Sequence, residues 1–125
     1  METLFRQSDF VTVNTLLSAE TRGLVGDRHF AWMKPTAYFI NTARGPMVNY
    51  DDLYQALKSR HVRGAMLETF WMEPPPVDSP LLKLDNVTLT PHIAGASTTT
   101  VRIAARMIAE EIRRHGAGEP PLNPC

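Results

Sequence analysis

The sequence has a single cysteine, no net charge and no apolar run of membrane-spanning length, and each absence removes a class of protein. Cys125 is the last residue, which excludes an intramolecular disulfide and suits a reducing compartment. Thirteen basic side chains balance thirteen acidic ones and no long basic run occurs, so nothing favours nucleic acid or an anionic membrane as a partner. The N-terminus lacks a positive region followed by an apolar one, and no segment reaches the length of a membrane span. The four histidines, His29, His61, His92 and His115, are scattered without ligand spacing, so no metal site is expected. The nucleophile elbow of serine hydrolases is also missing. A soluble, cytoplasmic chain is expected, and 125 residues with 43% hydrophobic content support one core.

What is present is an alternation of strand and helix patterns. Met1 to Gln7 reads as a helical stub with Glu2 and Arg6 four apart, ended by Ser8-Asp9. Phe10-Val-Thr-Val13 is a β-branched strand, and Asn14 to Ser18 is the loop at its carboxyl end. Ser18 with an acid close behind predicts a helix from about Arg22 to Met33, with Leu24, Val25, Phe30 and Trp32 on one face and Lys34-Pro35 as its stop. Tyr50-Asp51-Asp52 opens a helix to about Ser59, with Leu53, Ala56 and Leu57 inward. Val62 to Glu68 and Asn86 to Thr90 are strands, separated by a proline-stiffened loop from Thr69 to Pro76. The longest helix runs from Ser97 to about His115, with Val101, Ile103, Ala104, Met107, Ile108 and Ile112 apolar. Gly116 is expected to stop it, leaving an extended tail over 116–125. Such alternation indicates an α/β fold with a mostly parallel sheet.

The stretch from Ala37 to Gly45 organises the rest. It starts as a buried strand and delivers Arg44 onto a Gly-Pro turn. The carboxyl ends of parallel strands are where open α/β sheets bind ligands, and the planar guanidinium suits a carboxylate. An arginine there equally suits a local salt bridge that caps a strand end. Four strand ends deliver Thr15, Arg44, Glu68 and His92, and a parallel sheet would bring them to one edge. A carboxylate accepting from one ring nitrogen of His92 would fix its tautomer and leave the other to exchange a proton, and Glu73 in the stiff loop is the candidate. Each has a plainer alternative: His92 bonded to backbone, Glu73 capping a turn, Glu68 an ordinary solvated acid. Together, a carboxylate clamp, a proton donor and a place for hydride suit reduction of a 2-keto acid.

Three blocks carry a resemblance: Asn41-Thr-Ala-Arg-Gly45, Gly64-Ala-Met-Leu-Glu-Thr-Phe70 with Glu73-Pro74, and Thr90-Pro-His-Ile-Ala-Gly95. In this order and spacing they resemble the D-isomer-specific 2-hydroxyacid dehydrogenases, which include phosphoglycerate and glyoxylate/hydroxypyruvate reductases. The resemblance implies that Arg44 binds the substrate carboxylate and keto oxygen, that His92 transfers the proton, and that Glu73 pairs with His92. It further implies that Thr15, the Thr42-Ala43-Arg44 backbone, Glu68 and the turn from His92 through Ala94 and Gly95 line the nicotinamide end of a site for NAD or NADP. Three departures stand out. Glu68 occupies a position where the family usually has Asp, Asn14 and Leu16 replace a common His and Pro, and no Gly-x-Gly-x-x-Gly occurs.

The implied fold is the second half of a Rossmann-type parallel-sheet NAD(P)-binding domain, truncated at the N-terminus. It would span 1–115, with a return helix from about 97. The implied chemistry is interconversion of a 2-hydroxy and a 2-keto acid, with the chain inactive alone for want of the pyrophosphate cradle. An open sheet edge predicts a homodimer or pairing with a separately encoded N-terminal half, and a non-catalytic interaction module is the alternative.

Overall fold

Among the described residues four short strands, β1 (Phe10–Val13), β2 (Tyr38–Asn41), β3 (Gly64–Leu67) and β4 (Val87–Leu89), form one parallel sheet in the order β1-β2-β3-β4. The computed structural model describes residues 1–124; the terminal Cys125 lies outside the described residues. Helices α1 (Glu2–Gln7), α2 (Asp27–Trp32), α3 (Tyr50–Lys58) and α4 (Thr98–Gly116) and 3-10 turns at Gly45–Met47 and Pro80–Lys83 complete the elements. The chain divides into two compact units, Met1–His92 and the residues from Ile93 on.

In the first unit, alternation along each strand sorts the side chains. Val11, Phe39 and Ala65 share one register row and are buried, whereas Phe10, Thr12, Tyr38 and Thr88 are exposed. The buried face packs against the helices. Leu53 and Leu57 of α3 are fully buried, and Phe30 of α2 meets Phe39 edge to face at 5.3 Å. Burial of side chains of this size contributes about 1.5–3 kcal/mol each. The α3 start is set by Asn49, whose Oδ1 accepts from the backbone N–H groups of Asp51 and Asp52. Parallel pairing runs Val13, Asn41, Leu67 and Leu89 in register, so all four carboxyl ends lie at one end of the sheet.

Met1 to Val13 is anchored by three buried side chains, while Met1, Leu4 and Phe10 are exposed. Phe5 is buried against the rings of His29 and Trp32, and Val11 and Val13 are buried. The Glu2–Arg6 pair closes at 2.7 Å.

The helix expected from Arg22 is shorter and starts later. Ser18 and Thr21 close a local turn instead: the Ser18 N–H donates to Thr21 Oγ1 at 2.7 Å, and Thr21 Oγ1 donates to the Leu16 carbonyl at 2.8 Å. Gly23 then takes a left-handed φ of +65°, and Val25 bridges Val48 in parallel. Backbone bonds from Gly23 to Pro46, from Val25 to Met47 and from Asn49 to Val25 hold this segment alongside 46–49, so the helix starts only at Asp27, with Gly26 as its N-cap. Leu24 and Val25 enter the core from an extended segment, which mimics a helical face in the sequence. His29 secures the shortened helix: its Nδ1 accepts from the Gly26 N–H at 3.2 Å.

In the second unit, Ser97 Oγ accepts from the Thr100 N–H at 3.0 Å and caps α4. The helix ends at Gly116, as expected, and Gly118 two residues on takes a left-handed φ of +69°. The tail turns back rather than extending freely. Glu111 accepts from the N–H groups of Leu122 and Asn123, and Arg114 Nε donates to the Pro120 carbonyl. Val101, Ile103, Met107, Ile108 and Ile112 are exposed. Among the described residues no helix is long and apolar enough to cross a membrane.

Burial, reinforced by the neighbouring Arg28 charge, holds the His29 pKa below its ordinary value. An unfolded chain then takes up this proton first as pH falls through about 6.5, so the stability contribution is complete above that value and declines below it. Urea midpoints measured from pH 7.5 to 5 are expected to fall below pH 6.5, with a shallower fall in His29→Gln.

Candidate active site

The turn after β2 is shaped by a buried amide. Asn41 is fully buried, its Oδ1 accepts from the Ala43 N–H at 3.1 Å, and its Nδ2 donates to the Arg44 carbonyl at 3.1 Å. This ring of bonds sets Thr42, Ala43 and Arg44 at the strand end, where an asparagine can satisfy the backbone that the sheet leaves unpaired. Thr42 Oγ1 donates to Asn14 Oδ1 at 3.0 Å, and Asn14 Nδ2 donates to Thr12 Oγ1, which ties this turn to the loop after β1. Arg44 has extended backbone and an exposed side chain whose Nη1 donates to the Ala43 carbonyl at 2.8 Å.

Gly45 brings the next loop into place. A Cβ on Gly45 would lie 1.7 Å from the Phe70 carbonyl oxygen and 2.5 Å from the Trp71 nitrogen. Only glycine permits that approach of two backbones. The loop so placed carries Glu73, whose Oε1 accepts from the Phe70 N–H at 3.0 Å and whose Oε2 lies 2.7 Å from His92 Nδ1. With both carboxylate oxygens engaged, Nδ1 of His92 is the donor and Nε2 is left to exchange a proton. Hydrogen bonding to His92, then the Phe70 N–H, and more weakly the charges of His92 and Arg44, hold the Glu73 pKa below its ordinary value. His92 has φ +54° and its N–H donates to the Thr90 carbonyl at 3.0 Å. A non-glycine residue in the left-handed region is uncommon and clusters at functional sites.

The sequence candidates fall into distinct places. Thr15, Thr42, Ala43 and Arg44 line an open cleft of about 580 Å³ together with Asn14, Leu16 and Leu17. Glu73 and His92 line a smaller hollow of about 250 Å³ with Phe70 and three prolines. Glu68 is buried rather than solvated, and accepts a hydrogen bond from Thr90 Oγ1. Its longer side chain thereby links the ends of β3 and β4, two residues before His92. Ala94 and Gly95 belong to the second unit, where the Ala96 N–H donates to the Ile93 carbonyl at 2.9 Å. Among the described residues no group of three potential ligands could hold a metal ion.

Three residues that place these groups were absent from the sequence candidates. Asn41 and Gly45 lie in the same block as Arg44, and a polar residue ending a buried strand was the available signal for Asn41. Tyr50 gave no signal, because the first residue of an exposed helix start reads as surface. Its hydroxyl donates to the Thr69 carbonyl at 2.5 Å.

Residues 1–94 match the sequence family described as D-isomer specific 2-hydroxyacid dehydrogenase, NAD binding domain. A glyoxylate reductase of Korarchaeum cryptofilum is 44% identical over 123 residues, covering 98% of this chain and 37% of that protein. Among solved structures, a D-isomer specific 2-hydroxyacid dehydrogenase from Xanthobacter autotrophicus Py2, in complex with NADPH and MES, is 46% identical with a TM-score of 0.87, over 98% of this chain and 50% of that one. The holo form of Rhodotorula graminis D-mandelate dehydrogenase is 38% identical with a TM-score of 0.93, over 99% of this chain and 36% of that one. The chain thus spans little more than a third of the length of the first two curated relatives it matches.

Gly45→Ala is expected to destabilise the first unit by at least about 3 kcal/mol, the upper range of ordinary overpacking, because backbone rather than a flexible side chain must move. A urea titration measures it. The Glu73 carboxyl is expected to titrate below the ordinary glutamate range by carbon-detected NMR, and His92→Ala should move that midpoint back upward. Because the folded pKa is depressed, the pairing is complete above the ordinary glutamate value and is lost as pH falls through the folded one.

Proposed function

The chain belongs to the D-isomer-specific 2-hydroxyacid dehydrogenase family, and from that premise we propose that it carries the carboxylate-binding and proton-transfer groups for NAD(P)-dependent interconversion of a 2-hydroxy acid and a 2-keto acid. The observation that carries the proposal is the His92–Glu73 pair, closed at 2.7 Å through Nδ1, with Arg44 near enough for its charge to act on Glu73. In the reduction, His92 gives its Nε2 proton to the keto oxygen as negative charge develops there, while Nδ1 stays bonded to Glu73. In the oxidation, Nε2 takes the hydroxyl proton, and Glu73 stabilises the imidazolium that results. Arg44 supplies a planar fork for the substrate carboxylate and a positive charge beside the reacting oxygen. Its present bond to the Ala43 carbonyl is a single exposed contact that a carboxylate can displace.

The nicotinamide cofactor, when bound, supplies or accepts the hydride. The residues present fit its nicotinamide end: the cleft lined by Thr15, Thr42, Ala43 and Arg44 opens at the carboxyl ends of β1 and β2, where doubly wound sheets take dinucleotides. Glu68 is proposed for the same end on the strength of its family block. The 125 residues contain no Gly-x-Gly-x-x-Gly turn, so in this reading the pyrophosphate is held by a unit outside them, and the chain alone binds cofactor weakly. The reductase among the relatives points to small 2-keto acids of the glyoxylate type as first substrates to assay. A cytoplasmic setting suits both the nicotinamide chemistry and the scarcity of cysteine.

A second reading concerns partners. β1 ends the sheet, and its Phe10 is 65% exposed and stacked on Tyr38 at 5.7 Å, so another strand can add there. A second copy or a complementary N-terminal half is the proposed occupant of that edge.

NADH titrated into the purified chain and read by Trp32 and Trp71 fluorescence, with mass from light scattering, tests both readings. Saturable binding that weakens in Arg44→Ala places the nicotinamide end on this chain. Turnover of glyoxylate in the assembly that binds NADH should then fall about 10²–10⁴-fold in His92→Ala, the usual contribution of general acid–base catalysis. No saturation up to millimolar NADH assigns the cradle to a partner half, and a clean monomer removes the homodimer.

A further inference from the structure

Tyr50 opens α3 five residues after Gly45, and its side chain reaches the loop that carries Glu73. The hydroxyl donates to the Thr69 carbonyl at 2.5 Å, and the ring lies 4.8 Å from the Trp71 indole at an angle of 49°. Thr69 and Trp71 flank Phe70, the residue whose N–H holds Glu73 Oε1 and whose carbonyl Gly45 closes against. The loop is therefore gripped on both sides of its one directional bond to Glu73. From Trp71 to Pro74 the side chains are exposed and no strand pairing holds the backbone, so these contacts decide where the carboxylate sits.

We propose that Tyr50 is a positioning residue for proton transfer: by bonding the Thr69 carbonyl and packing on Trp71 it fixes the Phe70–Glu73 turn, keeps Glu73 on Nδ1 of His92, and so makes Nε2 the nitrogen that meets substrate. The inference rests on the reading of His92 as the proton donor and acceptor. A phenylalanine would supply the ring but not the bond, and a hydroxyl aimed at a carbonyl is directional in a way that ring packing is not. Burial, opposed by a hydrogen-bonding interaction with Asn41 and aided more weakly by the Glu73 charge, pushes the Tyr50 pKa up, so the phenol remains a donor throughout the neutral range. The same short segment thus sets three things. Arg44 is presented at the strand end, Gly45 admits the second loop, and Tyr50 locks that loop in register.

The test uses the purified 125-residue chain without cofactor or substrate. Nitrogen-15 NMR of the imidazole reads the His92 tautomer, and carbon-detected NMR reads the Glu73 titration. In Tyr50→Phe the ratio of Nδ1–H to Nε2–H neutral tautomer is expected to fall about tenfold, the effect of losing one charge-assisted hydrogen bond, and the Glu73 midpoint should rise toward the ordinary carboxylate value. Trp71→Leu, which keeps the hydroxyl bond and removes the ring contact, should shift both signals in the same direction. Tyr38→Phe, which removes a hydroxyl that accepts from Arg63 Nε at 2.8 Å, should shift neither. Wild-type signals in a folded Tyr50→Phe, or loss of the whole fold in both Tyr50→Phe and Trp71→Leu, would make the contact structural only and overturn the proposal. Because these signals are read without turnover, a tautomer shift in Tyr50→Phe alongside full activity in His92→Ala would unseat the catalytic reading while leaving the positioning intact.

Discussion

The close approach of the Gly45 and Phe70 backbones is the constraint on which the rest of the site depends. Two loops, one after β2 and one after β3, meet where no side chain fits between them. Adjacent parallel strands are held about 4.8 Å apart, so their carboxyl-terminal loops start close together, but only a missing Cβ lets the loops themselves touch. That contact places Arg44 and the turn holding Glu73 on the same piece of scaffold, which is what the proposed carboxylate clamp and proton-transfer pair would require of each other. A site that must be held within about half an ångström is better built from backbone than from flexible side chains.

The polar groups around this contact are used economically. Asn41 spends its amide on shaping the Arg44 turn, and Glu73 divides its two oxygens between the Phe70 N–H and His92. Neither is spare, so the imidazole orientation follows from the chain trace. Glu68 illustrates the contrast. Its carboxylate, one methylene longer than the aspartate usual in the family, is buried and bonded to Thr90. It acts on the strand that leads into His92, and so joins the frame around the pair.

Much of this was legible in the residues. Strand positions, the helix from Tyr50 to about Ser59, the in-register strand ends and the partnership of Glu73 with His92 follow from period-two alternation, from acids in a first helical turn, and from the types of side chain that succeed each strand. The segment from Arg22 to Val25 was not legible. Its apolar residues recur at spacings that fit a helix, but Val25 is captured by backbone bonding to the 46–48 segment, and a long-range partner overrides local propensity. Gly116 was legible, being the last residue of the helix, and Gly118 two residues on takes the left-handed conformation and donates its N–H to the His115 carbonyl.

The sequence by itself determined the strand and helix alternation, the chemistry available at each strand end, and, through its three blocks, the family. Each of these is written in local order: side-chain type, spacing and turn residues. Only the tertiary structure decided that Gly45 is a contact rather than a simple turn residue, that Glu68 points inward, and that Tyr50 reaches the Glu73 loop. Those facts join positions 19 to 25 residues apart, and whether such positions meet depends on how strands register and loops pack, which no local pattern encodes.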